Sequence, residues 1–205
     1  MPKPRCSYQL HIQLQDIKPA IWRRIVVADH TNLEQLHRII QVTMGWENAH
    51  LYAFEIAGQR YGLPDPDWPD DRTMDARRYT VGQLLQGQAI AMRYTYDFGD
   101  DWQHRIKLEA CEPAGAQQLE ALPQCLAGRN ACPPEDCGGP FGYQDLVCNI
   151  DNAKQSKRAA ALTWEHADFD AKHFDLATAQ SQLQALRPML QKKASLPQQE
   201  EALAV

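Results

Sequence analysis

From Tyr8 to Leu14 the chain alternates without a break. Tyr8, Leu10, Ile12 and Leu14 are apolar, and Gln9, His11 and Gln13 between them are polar. A period of two is the signature of a strand with one buried face. Asp16-Ile17-Lys18-Pro19 then reads as a turn and residues 21–27 as a second strand, which predicts a hairpin.

The period changes after this. Thr31-x-x-Glu34 has the form of a capping box, and Leu33, Leu36, Ile40 and Met44 follow on one helical face up to Gly45. Residues 51–56 and 59–62 predict two more strands around a turn at Gly58. The Pro- and Asp-rich stretch 63–78 predicts a surface loop. Thr80-x-x-Gln83 repeats the capping signal before Leu84-Leu85, with Gly87 as the stop. Residues 90–98 and 102–109 predict strands around a turn at Gly99-Asp100-Asp101. This succession matches a mixed sheet wrapped on a helix in β-grasp (ubiquitin-like) order. The expectation is therefore an α+β fold with a β-grasp-like domain over residues 1–112.

Beyond Cys111, Pro, Gly and Cys dominate as far as residue 143, and the reading is a long irregular segment. Short helices are expected at 142–150 and 154–164, and a last one capped by Asp175 and interrupted at Pro188. Residues 113–190 thus form a C-terminal irregular and helical extension packed on the first domain. Residues 191–205, rich in Gln, Glu and Lys, read as a disordered tail.

Composition narrows the function classes. The net charge of −5 disfavours nucleic-acid binding without excluding a local basic patch. Arg23-Arg24, Arg77-Arg78 and residues 154–158 are the candidates for such a patch, and each reads as solvated surface charge. No apolar run reaches the roughly 20 residues of a membrane helix, so no membrane association is expected. The first residues lack the apolar core of a secretory signal, and a cytoplasmic location is expected. The six cysteines then read as thiols or metal ligands.

Several strings occur together in order. They are Ile21-Trp22-Arg23-Arg24, Leu36-His37-x-x-Ile40-Gln41 with Gly45-Trp46, and His50-Leu51-Tyr52-x-Phe54. Tyr96-Asp97-Phe98-Gly99-Asp100-x-Trp102-x-His104 follows, then Cys132-Pro133-Pro134-Glu135-Asp136-Cys137-Gly138-Gly139 and Gly142-Tyr143. Over residues 6–187 the chain resembles the plasmid pRiA4b ORF-3-like family. The resemblance implies an α+β domain and an association with plasmids and mobile elements. It implies no activity. Some relatives carried in insertion elements are labelled resolvases, but a recombinase needs an activated nucleophile among several arginines. Ser7, Ser156, Ser181 and Ser195 have no such surroundings in this sequence.

Two constellations carry chemistry. Cys125-x6-Cys132-x4-Cys137 offers three thiolates, and His104 or His50 would supply the fourth ligand of a structural Zn²⁺ site. Its alternative is free thiols in a loop held by Pro133-Pro134 and Gly138-Gly139. The second is acidic: Asp97, Asp100, Asp101, His104, Glu135 and Asp136 would meet if the 132–139 loop folded onto the 96–104 hairpin. Such a group could hold Mg²⁺ or Mn²⁺ for hydrolysis, with Asp97, Asp100, His104 and Glu135 catalytic. Its alternative is ordinary turn chemistry. The aromatic residues, among them Trp46, Trp68, Trp102, Tyr94 and Tyr96, read as core. The functional expectation is a non-catalytic binding or accessory module with a protein partner. A metal-dependent hydrolase or nuclease is the competing expectation.

Overall fold

The alternating stretch becomes strand β1 (Cys6–Leu14), which pairs on both sides within an eight-stranded sheet. The computed structural model describes residues 5–65, 67, 72–86, 88, 90–156 and 169–193. Tyr8, Leu10, Ile12 and Leu14 are all buried, as the period of two requires.

The other strands are β2 (Trp22–Ala28), β3 (Tyr52–Ile56), β4 (Gln59–Gly62), β5 (Met74–Asp75), β6 (Met92–Tyr96), β7 (Trp102–Pro113) and β8 (Gln124–Arg129). Their order across the sheet is β5-β4-β3-β6-β7-β1-β2-β8. Every pairing is antiparallel except β4 with β5. The α+β class holds, but this larger sheet does not establish the β-grasp order. The two extra strands arise in the 63–78 stretch expected to be a loop, which supplies β5, and in the segment read as irregular. Residues 113–190 supply the eighth strand, which pairs with β2 at the sheet edge.

Helix α1 (Leu33–Met44) lies on the inner face of the sheet, where its His37 and Gln41 hydrogen bond to Tyr94 of β6. Its capping box falls one residue later than Thr31-x-x-Glu34. The Asn32 side chain accepts from Gln35 N, and Asn32 N donates to Gln35 Oε1, both at 2.8 Å. Thr31 is held outside the helix because its backbone bonds to Ala28 and Val81. Gly45 closes the helix with φ 105°. The second box is where the sequence puts it, since Thr80 caps α2 (Val81–Leu85) with Gln83.

Helix α3 (Ala116–Glu120) precedes β8. Helix α4 (Gly139–Ser156) covers the one expected at 142–150 and runs into the span of the one expected at 154–164, of which residues 157–164 lie outside the described ones. Asp175 caps α5 (Leu176–Lys193), accepting from Ala177 N and Thr178 N. This helix continues through Pro188 instead of breaking there. It packs Ala179, Leu183, Leu186 and Leu190 into the core beside α1 and β8. The tail expected at 191–205 is helical to Lys193, and the rest lies outside the described residues.

The core joins the inner sheet face to α1 and α5. Leu10, Ile12, Ile25, Leu36, Ile40, Phe54 and Ile106 are fully buried. Each such side chain contributes about 1.5–3 kcal/mol on leaving water. The doublet Arg23-Arg24 is not two solvated charges: Arg23 points inward and is 1% exposed, while Arg24 lies outside. Among the described residues, no helix is long and apolar enough to cross a membrane.

Candidate functional site

The tip of the β6–β7 hairpin is a tight turn built on Asp97. This residue has φ 53°, a left-handed conformation that Asp tolerates. Its Oδ1 accepts from Gly99 N at 2.9 Å, and its carbonyl accepts from Asp101 N at 2.7 Å. Asp97 N donates to Leu51 O at 2.9 Å. That bond brings His50, at the entry to β3, beside the hairpin tip.

The 131–138 loop folds onto the same tip. Trp46 Nε1 donates to Pro133 O at 3.0 Å, and Gly138 N donates to Asp100 Oδ2 at 3.2 Å. Glu135 Oε1 accepts from Tyr96 Oη and from Glu47 N, each at 2.9 Å. Tyr96 Oη in turn accepts from Ala49 N at 3.0 Å and His50 N at 3.3 Å. Burial first, and then the Glu135 carboxylate, raise the Tyr96 hydroxyl well above its ordinary value. It therefore stays protonated and serves as a fixed donor.

Four groups converge at this junction. His50 Nε2 lies 3.2 Å from Asp136 Oδ1, 3.7 Å from Asp97 Oδ2 and 3.9 Å from Glu135 Oε2. None of these approaches has hydrogen-bond geometry, and His50 Nε2 and Glu135 Oε2 are buried atoms without a hydrogen-bond partner. Among the described residues, His50, Asp97 and Asp136 are the one set of three whose ligand atoms all lie within 4.8 Å of one another. Glu135 stands alongside. Ligands about 2.1 Å from a shared ion sit roughly 3.0–4.2 Å apart, so the distances to His50 suit a bound cation. One imidazole with carboxylates suits Zn²⁺ or Mn²⁺ better than an all-oxygen ion such as Ca²⁺.

The other expected ligands lie elsewhere. His104 is fully buried on the inner face of β7, where its ring meets Trp46 edge-on at 5.2 Å. Burial pushes its pKa down to about 4. Asp100 is spent on holding the loop backbone, and Asp101 accepts from Gln103 Nε2. Cys125 is fixed on β8 by the bond from its N–H to Gln180, whereas Cys132 and Cys137 bracket the loop. All three are free thiols, and burial pushes each thiol up. Among the described residues they form no shared ligand set with each other, His104 or His50. Trp68 lies outside the described residues, while Trp46, Trp102, Tyr94 and Tyr96 are core. Sequence reasoning missed the pairing of His50 with Asp136 and the anchoring role of Tyr96.

Gly139 holds the junction closed. With φ 66°, it brings the start of α4 so near the hairpin that a Cβ there would sit 2.5 Å from Asp100 O. Gly139→Ala should destabilise the protein by about 1–3 kcal/mol, because both the left-handed backbone and the contact oppose a side chain. A thermal melt within 1 °C of the parent protein, measured by circular dichroism, would count against this docking of loop on hairpin.

The fold recurs in related proteins. The family model described as plasmid pRiA4b ORF-3-like protein matches residues 6–178, and the chain belongs to that family. It is 38% identical over 165 residues to "Uncharacterized protein y4hQ" of Sinorhizobium fredii (strain NBRC 101917 / NGR234), covering 80% of this chain and 83% of that protein. The crystal structure of the protein of unknown function MM3350 from Methanosarcina mazei Go1 matches with a TM-score of 0.71 at 30% identity. That match covers 85% of this chain and 98% of the other.

Proposed function

We propose that the chain is a non-catalytic accessory module whose hairpin–loop junction holds one divalent cation, Zn²⁺ or Mn²⁺. The supporting observation is the pair of buried, unpartnered atoms His50 Nε2 and Glu135 Oε2 beside the Asp97 and Asp136 carboxylates. Leaving a buried polar atom unsatisfied costs about 1–3 kcal/mol, and a cation would satisfy both at once. It would also offset repulsion among carboxylates that no Lys or Arg approaches among the described residues. The ion's role is then to pin the loop to the sheet.

Protein purified without chelator should carry about one such ion per chain by elemental analysis. At one hundred times its Kd the ion should add about 2.7 kcal/mol of stability. Chelation should therefore lower the melting temperature by about 5–10 °C for a chain of this size. His50→Ala should abolish both the bound metal and its effect on melting. Metal-free protein with an unchanged melting temperature, on which added Zn²⁺ and Mn²⁺ have no effect, would sink the proposal.

The exposure of Asp136 favours a second reading. Its side chain is 77% exposed, so the cation would face water on that side. A cation open to water can activate it for hydrolysis. His50 would then take the position that the buried His104 cannot fill. Mn²⁺-dependent cleavage of a nucleic acid, lost in Asp97→Asn, would establish that reading over the first.

A further inference from the structure

The outer face of the sheet carries charge of the opposite sign to the whole chain, whose net charge is −5. Strand register places one row of residues across it. Arg60 pairs with Glu55, Glu55 with Arg93, Arg93 with Arg105, Arg105 with Gln13, Gln13 with Trp22, and Trp22 with Arg129. A second row runs through Lys107, His11 and Arg24. Paired residues of antiparallel strands project from the same face. Arg60, Arg93, Arg105, Lys107 and Arg129 are exposed, and Arg24 is half-exposed.

Two of these cations are neutralised, Arg93 by Glu55 at 3.2 Å and Arg24 by Glu109 at 2.6 Å. Among the described residues, no carboxylate pairs with Arg60, Arg105, Lys107 or Arg129. Arg60, Arg93 and Arg105 line a depression of about 500 Å³.

Aromatic rings stand toward both ends of the strip. Trp22 stacks on His11 with ring centres 5.3 Å apart, and the Arg24 guanidinium lies 5.4 Å over it. At the hairpin tip Phe98 is 46% exposed, with the Arg60 guanidinium 5.0 Å over its ring. Strands β4 and β2 are five strand spacings apart, so the backbones of Arg60 and Trp22 are separated by about 24 Å across the sheet.

We propose that this face binds single-stranded nucleic acid, its backbone lying along the arginine row and bases stacking at Trp22 and Phe98. Unpaired cations in a row interleaved with aromatic rings are the combination that such strands need. A duplex would present no free base faces to the rings. Only Phe98, which follows Asp97 at the hairpin tip, lies beside the cation site, and binding along the arginine row does not require a metal.

The test is fluorescence anisotropy of a labelled oligonucleotide of about 20 nucleotides with the full chain, at about 50 mM salt and with chelator present. Binding should weaken with salt along a log–log slope of about −3, as expected for four neutralised phosphates on a single strand. Replacing Arg93, Arg105 and Lys107 together by Ser should reduce affinity at least tenfold. These side chains are exposed, so the variant should keep the parent's circular dichroism. Trp22→Leu should also lose about tenfold, and a melting curve would identify any folding defect in it. No binding at low salt, or equal binding by the triple variant, would overturn the proposal. Equal affinity for a blunt duplex would overturn the single-strand assignment, and equal competition by polyglutamate would point instead to an acidic protein.

Discussion

Replacing Arg23 by alanine should destabilise the protein by about 3–5 kcal/mol. Arg23 is 1% exposed, and no carboxylate pairs with it among the described residues. Its partners are backbone carbonyls. Nε donates to Thr43 O at 2.7 Å and Nη2 reaches Met44 O at 3.5 Å, both in the last turn of α1. Nη1 donates to Trp22 O at 2.9 Å and to Arg129 O at 3.1 Å. One guanidinium therefore joins the helix C-terminus to both strands of the β2–β8 pair. The helix dipole places partial negative charge at this terminus, which favours a cation there.

Burial holds the Arg23 pKa below its ordinary value, and a guanidinium at neutral pH still carries its charge. Alanine would leave those carbonyls without a donor and open a cavity beside Phe174, whose ring lies 4.0 Å from the guanidinium. Lysine would keep the charge but not the planar fork, and should recover less than half of the loss. Urea unfolding checks both variants. A loss under 1 kcal/mol for alanine would mean that water replaces the guanidinium readily.

Arg23 also shows what the sequence reveals and what it conceals. It stands in phase with Ile21 and Ile25, so a period of two carried through the doublet would place it on the buried face. The doublet with Arg24 concealed this by looking like surface charge. His104 has the same history. It lies between Trp102 and Ile106 in the same phase, and that phase places it in the core and away from any solvent-facing site.

Other features had no local signal. Gln124–Arg129 contains Ala127 and Gly128 and no clean alternation, and a bulge interrupts its register with β2. It is a strand because β2 offers an edge, and Gly128 fits because a Cβ there would meet Phe174 at 2.5 Å. Asp97 and Asp136 were legible as turn residues, since both adopt left-handed backbone. Their convergence on His50 depends on the Tyr96–Glu135 bond across 39 residues, which no spacing rule could supply. The basic strip is likewise a product of register, because its arginines come from five strands that are scattered along the chain.

Mild acid should destabilise the protein through two buried imidazoles. His37 sits between Tyr94 Oη at 2.8 Å and Asn48 Oδ1, stacked on Tyr52 at 3.7 Å, with Arg38 and Glu34 the nearest charges. His104 meets Trp46 and Tyr94, and its Nδ1 lies 3.3 Å from Tyr94 O. Burial is the largest cause in both, and it brings each pKa from 6.5 down to about 4. The unfolded chain therefore binds protons below pH 6.5 that the native protein refuses until about pH 4. Stability is fully present above 6.5, falls as pH drops through this window and levels off below it, the sign that linkage requires when the unfolded state binds more protons.

Between pH 7 and 5 the two together should remove roughly 3–4 kcal/mol. Glu109, held down to about 2 chiefly by its hydrogen bond with Arg24, loses its contribution only below its ordinary value of 4.5. The histidine window is thus separable from the carboxylate one. Urea midpoints at pH 7 and pH 5 give the loss directly, and His37→Gln should roughly halve it while keeping a polar partner for Tyr94. A flat profile between those two pH values would mean that both imidazoles accept protons in the folded protein, and the polar core beneath the hairpin would have to be open to water.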